Sequence, residues 1–304
     1  MRRLKILGIE YNLPQKTEIF GDQTRYRISG QETQMSLAVG AIKKVFASTN
    51  LSISDIDLII SCCAVPYQLI PNMSSLVYEQ FDDFRGIPCI DINTTCTSYI
   101  SALDIVSYFL DANRYNKVLI IASDVPSKAL DKLSKETYEL FSDCAVATIV
   151  ESTNEDKGVI YSLQKTFPKG AHDTEILGGA AGLTVHEICD ENRSKYFFRM
   201  NGINAIKLIL QELPAVYKEM CNNCSDINYV VPHQASRILD IVMKRSNIKK
   251  PYINIVKDYG NMVSASIPFA LKKALDERKI ISGENVLLMG TAAGLIINGL
   301  VLKL

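Results

Sequence analysis

The sequence predicts an α/β fold made of two similar halves. Apolar segments of strand length, such as KVLIIAS at 117–123, alternate with segments whose apolar residues recur at helical spacing. The stretch SDIDLII at 54–60 recurs as SDINYVV at 225–231, an offset of 171 positions (226 − 55). KVLI at 117–120 recurs as NVLL at 285–288, an offset of 168 (286 − 118). Two motifs repeated at nearly one offset indicate an internal duplication, with two alike βα modules packed on each other.

A polar segment at 152–157 marks the boundary, so we expect a first half over residues 1–155 and a second half over residues 156–304. The same periodicity predicts the individual elements. In the first half these are a strand at 5–11, a polar loop at 21–27, a helix at 35–46, a strand at 58–63, helices at 72–81 and 99–110, and strands at 117–123 and 146–151. In the second half they are strands at 225–231 and 285–288 and a helix at 270–274.

Composition excludes several classes of function. Lys and Arg together number 33, as do Asp and Glu, so no net charge points to a nucleic-acid partner. No apolar run approaches the ~18 residues of a membrane span, and the basic N-terminus lacks the apolar core of a signal peptide. The eight cysteines include only a lone CxxC at 221–224, so neither a metal nor another cofactor is expected. Free thiols in a cytoplasmic protein are the simplest interpretation.

Cys96 stands where a predicted strand passes into a largely apolar helix. The cap-type residues Asn93, Thr94 and Thr95 precede it, and apolar residues at helical spacing follow. A thiol at this place meets unpaired backbone N–H groups and the positive end of the helix dipole, which favour the thiolate. The alternative is a small buried cysteine that only fills space in the core.

Three further segments place polar groups at the ends of strands or helices. His233, one of three histidines, follows the second-half strand in the run PHQAS, where α/β folds place ligand-handling residues. Asn261 lies in the run GNMVSASIP ahead of a helix, and GTAAG at 290–294 follows another strand. The alternatives are a histidine satisfied within the core and an asparagine that only caps its helix. With Cys96, these groups predict thiolate attack on an acyl thioester, assisted by hydrogen bonds to the carbonyl oxygen.

These residues resemble the thiolase-fold condensing enzymes, most closely the β-ketoacyl-acyl-carrier-protein synthase III group. The resemblance covers nearly the whole chain. It rests on the cysteine at a helix start, PHQAS at 232–236, GNMVSASIP at 260–268, GTAAG at 290–294, FSDCA at 141–145 and GGAAG at 178–182. It implies a thiolase-like five-layer αβαβα fold, in agreement with the internal duplication. It also implies a homodimer with residues 87–92 at the subunit seam.

Carried over residue by residue, the resemblance implies that Cys96 is the acylated nucleophile. His233 and Asn261 would polarise the malonyl thioester and stabilise the enolate left by decarboxylation. The backbone N–H groups of Cys96 and Ala293 would form the oxyanion hole. The acyl pocket would be lined by Ile70, Thr95 and Leu295. Carrier protein or coenzyme A would be bound by Arg25, Arg27, Lys207 and Arg237.

The implied substrates are an acyl-CoA or acyl-carrier-protein thioester and a malonyl-carrier-protein, as in fatty acid or polyketide-type biosynthesis. The family grips coenzyme A with a tryptophan and an arginine, but this chain has no tryptophan and a short segment between Tyr11 and Arg25. We therefore expect at least one substrate to arrive on a carrier protein, which docks on basic residues and needs no stacked adenine.

Two alternatives stay open at this stage. The same residues can transfer an acyl group to an oxygen or nitrogen acceptor without decarboxylation, as related proteins of secondary metabolism do. A non-catalytic partner subunit is disfavoured, because such subunits usually lose the nucleophilic cysteine. A papain-like protease is rejected, because no C-G-[SA]-C-[WY] stretch surrounds Cys96.

Overall fold

The computed structural model of the protein describes residues 1–83 and 85–304. Over these ranges it contains two five-stranded sheets and two short two-stranded sheets. The strands are β1 (Arg2–Arg3), β2 (Lys5–Asn12), β3 (Lys16–Phe20), β4 (Gln23–Arg27), β5 (Leu58–Ser61), β6 (Cys89–Asp91), β7 (Lys117–Asp124), β8 (Cys144–Glu151), β9 (Gly158–Thr166), β10 (Thr174–Glu175), β11 (Arg199–Met200), β12 (Tyr229–Pro232), β13 (Asn285–Ala292) and β14 (Ile296–Lys303). The helices are α1 (Gln34–Thr49), α2 (Met73–Glu79), α3 (Ser98–Asp111), α4 (Lys135–Tyr138), α5 (Gly202–Asn223), α6 (Leu239–Arg245), α7 (Val256–Tyr259) and α8 (Ser266–Asp276).

The first large sheet has the strand order β2-β8-β7-β5-β6. β8 is antiparallel to both β2 and β7, whereas β7, β5 and β6 run parallel to one another. All four residues of β5 and seven of the eight in β7 are buried. A parallel strand covered on both faces has no solvent side, which explains the unbroken apolar runs in the sequence.

The second large sheet repeats this arrangement in the order β1-β9-β14-β13-β12. β14 is antiparallel to both β9 and β13, and β13 runs parallel to β12. The strands β9, β14, β13 and β12 therefore match β2, β8, β7 and β5. An isolated parallel bridge between Val230 and Tyr252 stands where β6 pairs in the first sheet. The repeated topology confirms the predicted duplication.

Helices form three layers around the two sheets. α1 packs against β2, β7 and β8 on one side of the first sheet, and α5 packs against β9 and β14 of the second. α3 contacts β7 of the first sheet and β14 of the second, while α8 contacts β8 and β12. Both helices thus lie between the sheets, and an apolar cluster that includes Leu103 and Phe269 fills this central layer. The layers follow the predicted order αβαβα.

The central helix α3 is preceded by a tight turn that contains Cys96. The Thr95 N–H donates to Asn93 Oδ1 over 2.8 Å, and the Thr94 N–H donates to Ser98 Oγ over 2.9 Å. Side chains on both sides of the turn therefore satisfy N–H groups that have no partner at the start of a helix.

The other central helix, α8, is preceded by the same turn 168 positions later (264 − 96). Here the Val263 N–H donates to Asn261 Oδ1 over 2.8 Å, and the Met262 N–H donates to Ser266 Oγ over 2.8 Å. Ser264 is consequently the counterpart of Cys96 in the second half.

Two expectations about the first half are corrected. Residues 21–27 are not a polar loop, because β3 and β4 form a hairpin that turns at Gly21, where φ is 64°. Polar residues dominate this hairpin, so hydrophobic alternation did not reveal it. β1 lies within the predicted first half but pairs antiparallel with β9 of the second sheet. The chain passes between the large sheets from β8 to β9, and the division at 155/156 stays a prediction.

Candidate active site

Cys96 lies in a short 3₁₀ turn, Thr95–Thr97, that leads directly into α3. The residue before it, Thr95, has a φ of 52°. This left-handed conformation is costly for a β-branched residue, and such strain concentrates at functional sites. The hydrogen bond from the Thr95 N–H to Asn93 helps to hold the conformation. Cys96 keeps part of its surface exposed.

Burial raises the pKa of the Cys96 thiol to about 12, and the Asp124 carboxylate acts in the same direction. The backbone N–H groups of Cys96 and Ala293 and the Thr95 hydroxyl lower this pKa by smaller amounts. Although the residue is partly accessible, the sulfur lies deep among neighbouring atoms, and desolvation dominates. In the free protein, the desolvation of the sulfur therefore outweighs the effect expected from the helix start, and the raised pKa favours the thiol over the thiolate.

His233 follows β12, and its N–H donates to the Met289 carbonyl over 2.8 Å, which extends the pairing with β13. Burial lowers the pKa of the imidazole to about 4, so the ring is neutral at pH 7. Its Nδ1 lies 3.1 Å from the Thr291 carbonyl and its Nε2 lies 3.1 Å from Asn261 Oδ1. Both neighbours are acceptors, so a neutral ring donates to only one of them, whereas a ring that gains a proton donates to both.

Asn261 is held by its backbone as well as by its side chain. Its N–H donates to the Leu140 carbonyl over 2.9 Å, and its own carbonyl accepts the Ser142 N–H over 2.8 Å. Oδ1 accepts the Val263 N–H, which fixes the orientation of the amide. Among the residues that the structure describes, Nδ2 makes only a long contact of 3.4 Å, to the Ala235 carbonyl. The amide N–H groups therefore retain donor capacity for a substrate oxygen.

Gly290 lets the parts of the site approach one another. A Cβ on this residue would lie 2.9 Å from His233 Cβ and 3.0 Å from Thr97 Cγ2. Such distances are far below ordinary van der Waals contact. The end of β13 is therefore packed between the residue after Cys96 and the histidine, and only glycine fits there.

The turn between β13 and β14 contains Ala293, the second residue of the predicted oxyanion hole. The Ala293 N–H points to the Cys96 sulfur closely enough to lower the pKa of that thiol. Ala293 is not among the residues with positive φ, so an alanine is accommodated without strain, and the left-handed positions are Gly294 and Leu295. An acyl oxygen on Cys96 would meet the N–H groups that now face the sulfur.

The residues predicted to line the acyl pocket are only partly brought together. Thr95 adjoins Cys96, and Leu295 is buried in the cluster that Cys96 contacts. The Thr95 hydroxyl is buried and has no hydrogen-bond partner of good geometry among the described residues. Ile70, in contrast, is 84% exposed and lines neither of the two cavities described below.

A narrow apolar cavity of about 80 Å³ reaches His233 from between α5 and α6. Its lining includes Ile206 and Ile209 of α5, Val242 of α6 and Thr291. The sequence prediction did not include these apolar residues, because nothing in helical periodicity separates a cavity wall from the core. A larger cavity of about 350 Å³ around Asp57 and Arg114 contains none of the predicted site residues.

Two of the four predicted cationic residues are part of the fold. Arg25 is fully buried, and its guanidinium donates to the carbonyls of Glu139 (2.8 Å) and Lys257 (3.0 Å). Arg27 is 3% exposed, donates to the Tyr138 carbonyl and lies 4.8 Å above that ring. Neither guanidinium is presented to a ligand, which corrects the expectation that they grip a substrate.

The other two cations lie at the surface. Arg237 donates to the Glu139 carboxylate over 3.1 Å, so its charge is already paired. Lys207 is exposed on α5, next to the cavity residue Ile206, and takes part in no ion pair among residues 1–83 and 85–304. Lys207 is therefore the better placed of the four for an acidic partner.

Two family models match this chain. The model described as 3-oxoacyl-[acyl-carrier-protein (ACP)] synthase III matches residues 90–166, and the model for its C-terminal part matches residues 222–304. A beta-ketoacyl-[acyl-carrier-protein] synthase III of Clostridium perfringens is 32% identical over 293 residues, which cover 93% of this chain and 88% of that protein. This chain belongs to the beta-ketoacyl-[acyl-carrier-protein] synthase III family.

Other members of the synthase III family give the same result. A synthase III of Aquifex aeolicus is 30% identical over 276 residues, covering 88% of this chain and 84% of that protein. The crystal structure of the synthase III from Aquifex aeolicus VF5 superposes with a TM-score of 0.86 at 25% identity, over 99% of this chain and 100% of that one. Membership of this family makes the chain an acyl-transferring condensing enzyme with a thiolase-like fold.

The matched regions contain the residues discussed above. Residues 90–166 include Cys96, and residues 222–304 include His233, Asn261 and Ala293. No helix among the described residues has the length and apolar character needed to cross a bilayer.

Proposed function

We propose that this synthase forms an acyl thioester on Cys96 and condenses it with a malonyl-type thioester by decarboxylation. The observation that carries the proposal is the convergence of three groups at the end of β13. The Ala293 N–H faces the Cys96 sulfur, the Thr291 carbonyl lies 3.1 Å from His233 Nδ1, and His233 Nε2 lies 3.1 Å from Asn261 Oδ1. One strand end thus links the nucleophile to both donors.

In the acylation step, the Cys96 sulfur attacks the carbonyl carbon of the donor thioester. The new carbon–sulfur bond forms as the donor's carbon–sulfur bond breaks, and the departing thiolate receives the proton that Cys96 loses. His233 is the residue that we assign to carry this proton. Burial lowers the pKa of its ring, and the hydrogen bonds to Asn261 and Thr291 offset part of that effect. The N–H groups of Cys96 and Ala293 stabilise the tetrahedral oxyanion.

In the condensation step, the malonyl thioester oxygen accepts hydrogen bonds from His233 and Asn261. Loss of carbon dioxide breaks the bond between the methylene carbon and the carboxylate, and its electron pair forms the enolate that these donors stabilise. The enolate carbon then attacks the acyl carbonyl and expels the Cys96 thiolate. The products are a 3-oxoacyl thioester and carbon dioxide. The Cys96 thiolate takes up a proton from solvent, because the proton that Cys96 lost left with the donor's thiol.

We further propose that the malonyl group arrives on a carrier protein and that the acyl donor does so too. The narrow cavity beside His233 suits a slender thioester arm, and exposed Lys207 stands next to its lining on α5. Arg25 and Arg27 on the β3–β4 hairpin are buried. Neither is therefore available as the arginine with which the family binds coenzyme A.

A homodimer in the cytoplasm completes the proposal. β6 forms an edge of the first sheet, its residue Ile90 is 38% exposed, and Ile70 is 84% exposed near the same edge. An exposed apolar edge strand is suited to pairing with a second copy of itself. All eight cysteines are unpaired, as suits a reducing compartment.

The decisive experiment is intact-mass measurement after incubation with a panel of acyl-CoA and acyl-carrier thioesters, followed by measurement of carbon dioxide released from malonyl-carrier. The wild-type protein should gain the acyl mass on Cys96, and Cys96→Ser should gain none. Acyl mass on another residue would disprove the assignment of Cys96. An acylated enzyme that releases no carbon dioxide, but transfers its acyl group to an oxygen or nitrogen acceptor, would replace condensation with plain acyl transfer.

A further inference from the structure

Asp124 is a buried carboxylate that no step of the proposed reaction uses. It ends β7 and is 1% exposed. Its oxygens accept the N–H groups of Ala64 and Val65, each over 3.1 Å, and the N–H of Ser264, also over 3.1 Å. The Ser264 hydroxyl donates to it as well. No ion pair among the described residues includes Asp124, so hydrogen bonds alone compensate its charge.

The position of Asp124 follows from the duplication of the fold. β7 and β13 are equivalent strands, so Asp124 corresponds to Ala292 (292 − 124 = 168), next to the oxyanion-hole residue Ala293. Ser264 corresponds to Cys96 at the same offset. The contact between Asp124 and Ser264 therefore occupies the second-half counterpart of the place where Ala293 meets Cys96. In that counterpart a carboxylate and a hydroxyl are hydrogen-bonded to each other.

Hydrogen bonds lead from Asp124 to the turn that carries Asn261. Ser264 binds Asp124 through both its backbone and its side chain. The preceding residue, Val263, has a φ of 53° and donates its N–H to Asn261 Oδ1. Val263, whose backbone is strained, is thus held by its own hydrogen bond to Asn261 and by the bonds of Ser264 to Asp124.

Hydrogen bonds lead equally from Asp124 to the turn that carries Cys96. The Ala64 N–H donates to Asp124, and the Ala64 carbonyl accepts from Asn93 Nδ2 over 3.0 Å. Asn93 Oδ1 in turn accepts the N–H of Thr95, whose φ is 52°. A single carboxylate therefore connects the strained turn of the nucleophile with the strained turn of the donor.

We propose that Asp124 is a positioning residue, which keeps the Cys96 turn and the Asn261 turn in register for the condensation step. This inference rests on the proposed roles of Cys96 and Asn261. Asp124 touches neither reacting atom, so it acts through Ser264 on one side and through Ala64 and Asn93 on the other. Its negative charge raises the pKa of the Cys96 thiol, so Asp124 does not act by stabilising a thiolate at Cys96.

The test compares wild-type protein with Asp124→Asn, which keeps the size of the side chain but turns an amide nitrogen towards N–H donors. Condensation kcat should fall by about tenfold or more, because a small displacement of reacting groups is costly. KM for the acyl donor should stay within about threefold, because ground-state binding is not the function assigned to Asp124. Alkylation of Cys96 should meanwhile reach its half-maximal rate at a lower pH, since the opposing charge is gone. Slower condensation with a more readily ionised thiol is a combination that general destabilisation does not produce.

Asp143→Asn is the matched control. Asp143 is equally buried and accepts the Ile28 N–H, the Ser127 N–H and the Ser127 hydroxyl, but these bonds do not lead to Cys96. Its substitution should lower Tm while leaving the pH profile of Cys96 alkylation in place. If Asp124→Asn does not fold, Ser264→Ala provides the test instead. It removes the hydroxyl that donates to Asp124 and should still reduce condensation kcat by about threefold.

The outcomes separate this inference from the proposed function. A wild-type protein that neither acylates Cys96 nor releases carbon dioxide would show that the proposed function fails. A wild-type protein that condenses, with Asp124→Asn or Ser264→Ala equally fast per folded molecule, would overturn the role of Asp124. An equal loss in Asp143→Asn, with no shift in the alkylation profile of either variant, would overturn it as well.

Discussion

Thr95 and Val263 adopt the same left-handed backbone conformation, with φ values of 52° and 53°, at equivalent places in the two halves of the chain. Each is β-branched, and each donates its N–H over 2.8 Å to an asparagine two residues earlier. Conformations of this kind cost about 1–3 kcal/mol and persist only where surrounding contacts impose them. The same strained turn thus occurs in both halves. The residue that follows it is Cys96 in the first half and Ser264 in the second.

The pH dependence of Cys96 is the first prediction. With a pKa near 12, the thiolate fraction of Cys96 should rise about tenfold per pH unit across pH 7–10. Iodoacetamide alkylation, followed by peptide mass analysis of Cys96, should show the same rise without levelling off. A small reference thiol with a pKa of about 8.5 would level off within that range. A plateau at Cys96 below pH 9 would restore the interpretation that the helix start favours the thiolate.

The donors to the malonyl carbonyl give the second prediction. His233→Ala and Asn261→Ala should each reduce malonyl decarboxylation by about 10²–10³-fold, the usual effect of losing an oxyanion donor. Acylation of Cys96, read by intact mass, should survive in part, because the N–H groups of Cys96 and Ala293 remain. His186→Ala, in the exposed 3₁₀ turn Val185–Glu187, is the control and should match wild type. Undiminished decarboxylation in both site variants would contradict the assigned roles.

The close packing at Gly290 gives the third prediction. Gly290→Ala would place a methyl group 2.9 Å from His233 Cβ and 3.0 Å from Thr97 Cγ2. Overpacking of this kind costs roughly 1–3 kcal/mol, and here relief of the clash separates the histidine from the nucleophile. Tm and condensation rate should therefore both fall. Gly182→Ala has open space around its new methyl group and should change neither. A fully active Gly290→Ala enzyme would show that this packing does not control the site.

The sequence predicted the positions of residues that depend on one local element. Cys96 lies at a helix start and His233 follows a buried strand, as the patterns predict, and the repeated motifs led to the duplicated topology. Asp124 was missed, although a carboxylate closing an apolar strand was a usable signal, because its partners come from distant segments. The raised pKa of Cys96 and the burial of Arg25 also depend on what other parts of the chain place around them. Local patterns carry no information on such burial.

Assembly gives the fourth prediction. The proposed homodimer should sediment at about 68 kDa, twice the 33.8 kDa of one chain. Ile90→Arg should shift it towards the monomer, because a charge on the exposed edge strand β6 opposes pairing of two copies. Ile281→Arg, a charge on an exposed residue of the second half, should leave the dimer intact. A single wild-type species near the mass of one chain at micromolar concentration would contradict the proposal.

The last prediction concerns the form in which the acyl donor arrives. Lys207 is exposed and directly follows the cavity residue Ile206 on α5, whereas Arg25 and Arg27 are buried and Arg237 is paired with Glu139. Lys207→Glu should therefore lower kcat/KM for carrier-bound donors by about tenfold, because a charge at the rim of an interface controls encounter with an acidic partner. The matching CoA esters should change by less than about threefold, and added salt should slow only the carrier-bound reaction, since screening weakens exposed charge pairs. Lys218→Glu, further along α5 and also exposed, makes the same charge change and should have little effect on either donor. Equal efficiency with carrier-bound and CoA donors, insensitive to salt and to Lys207→Glu, would show that the donor does not depend on a carrier protein.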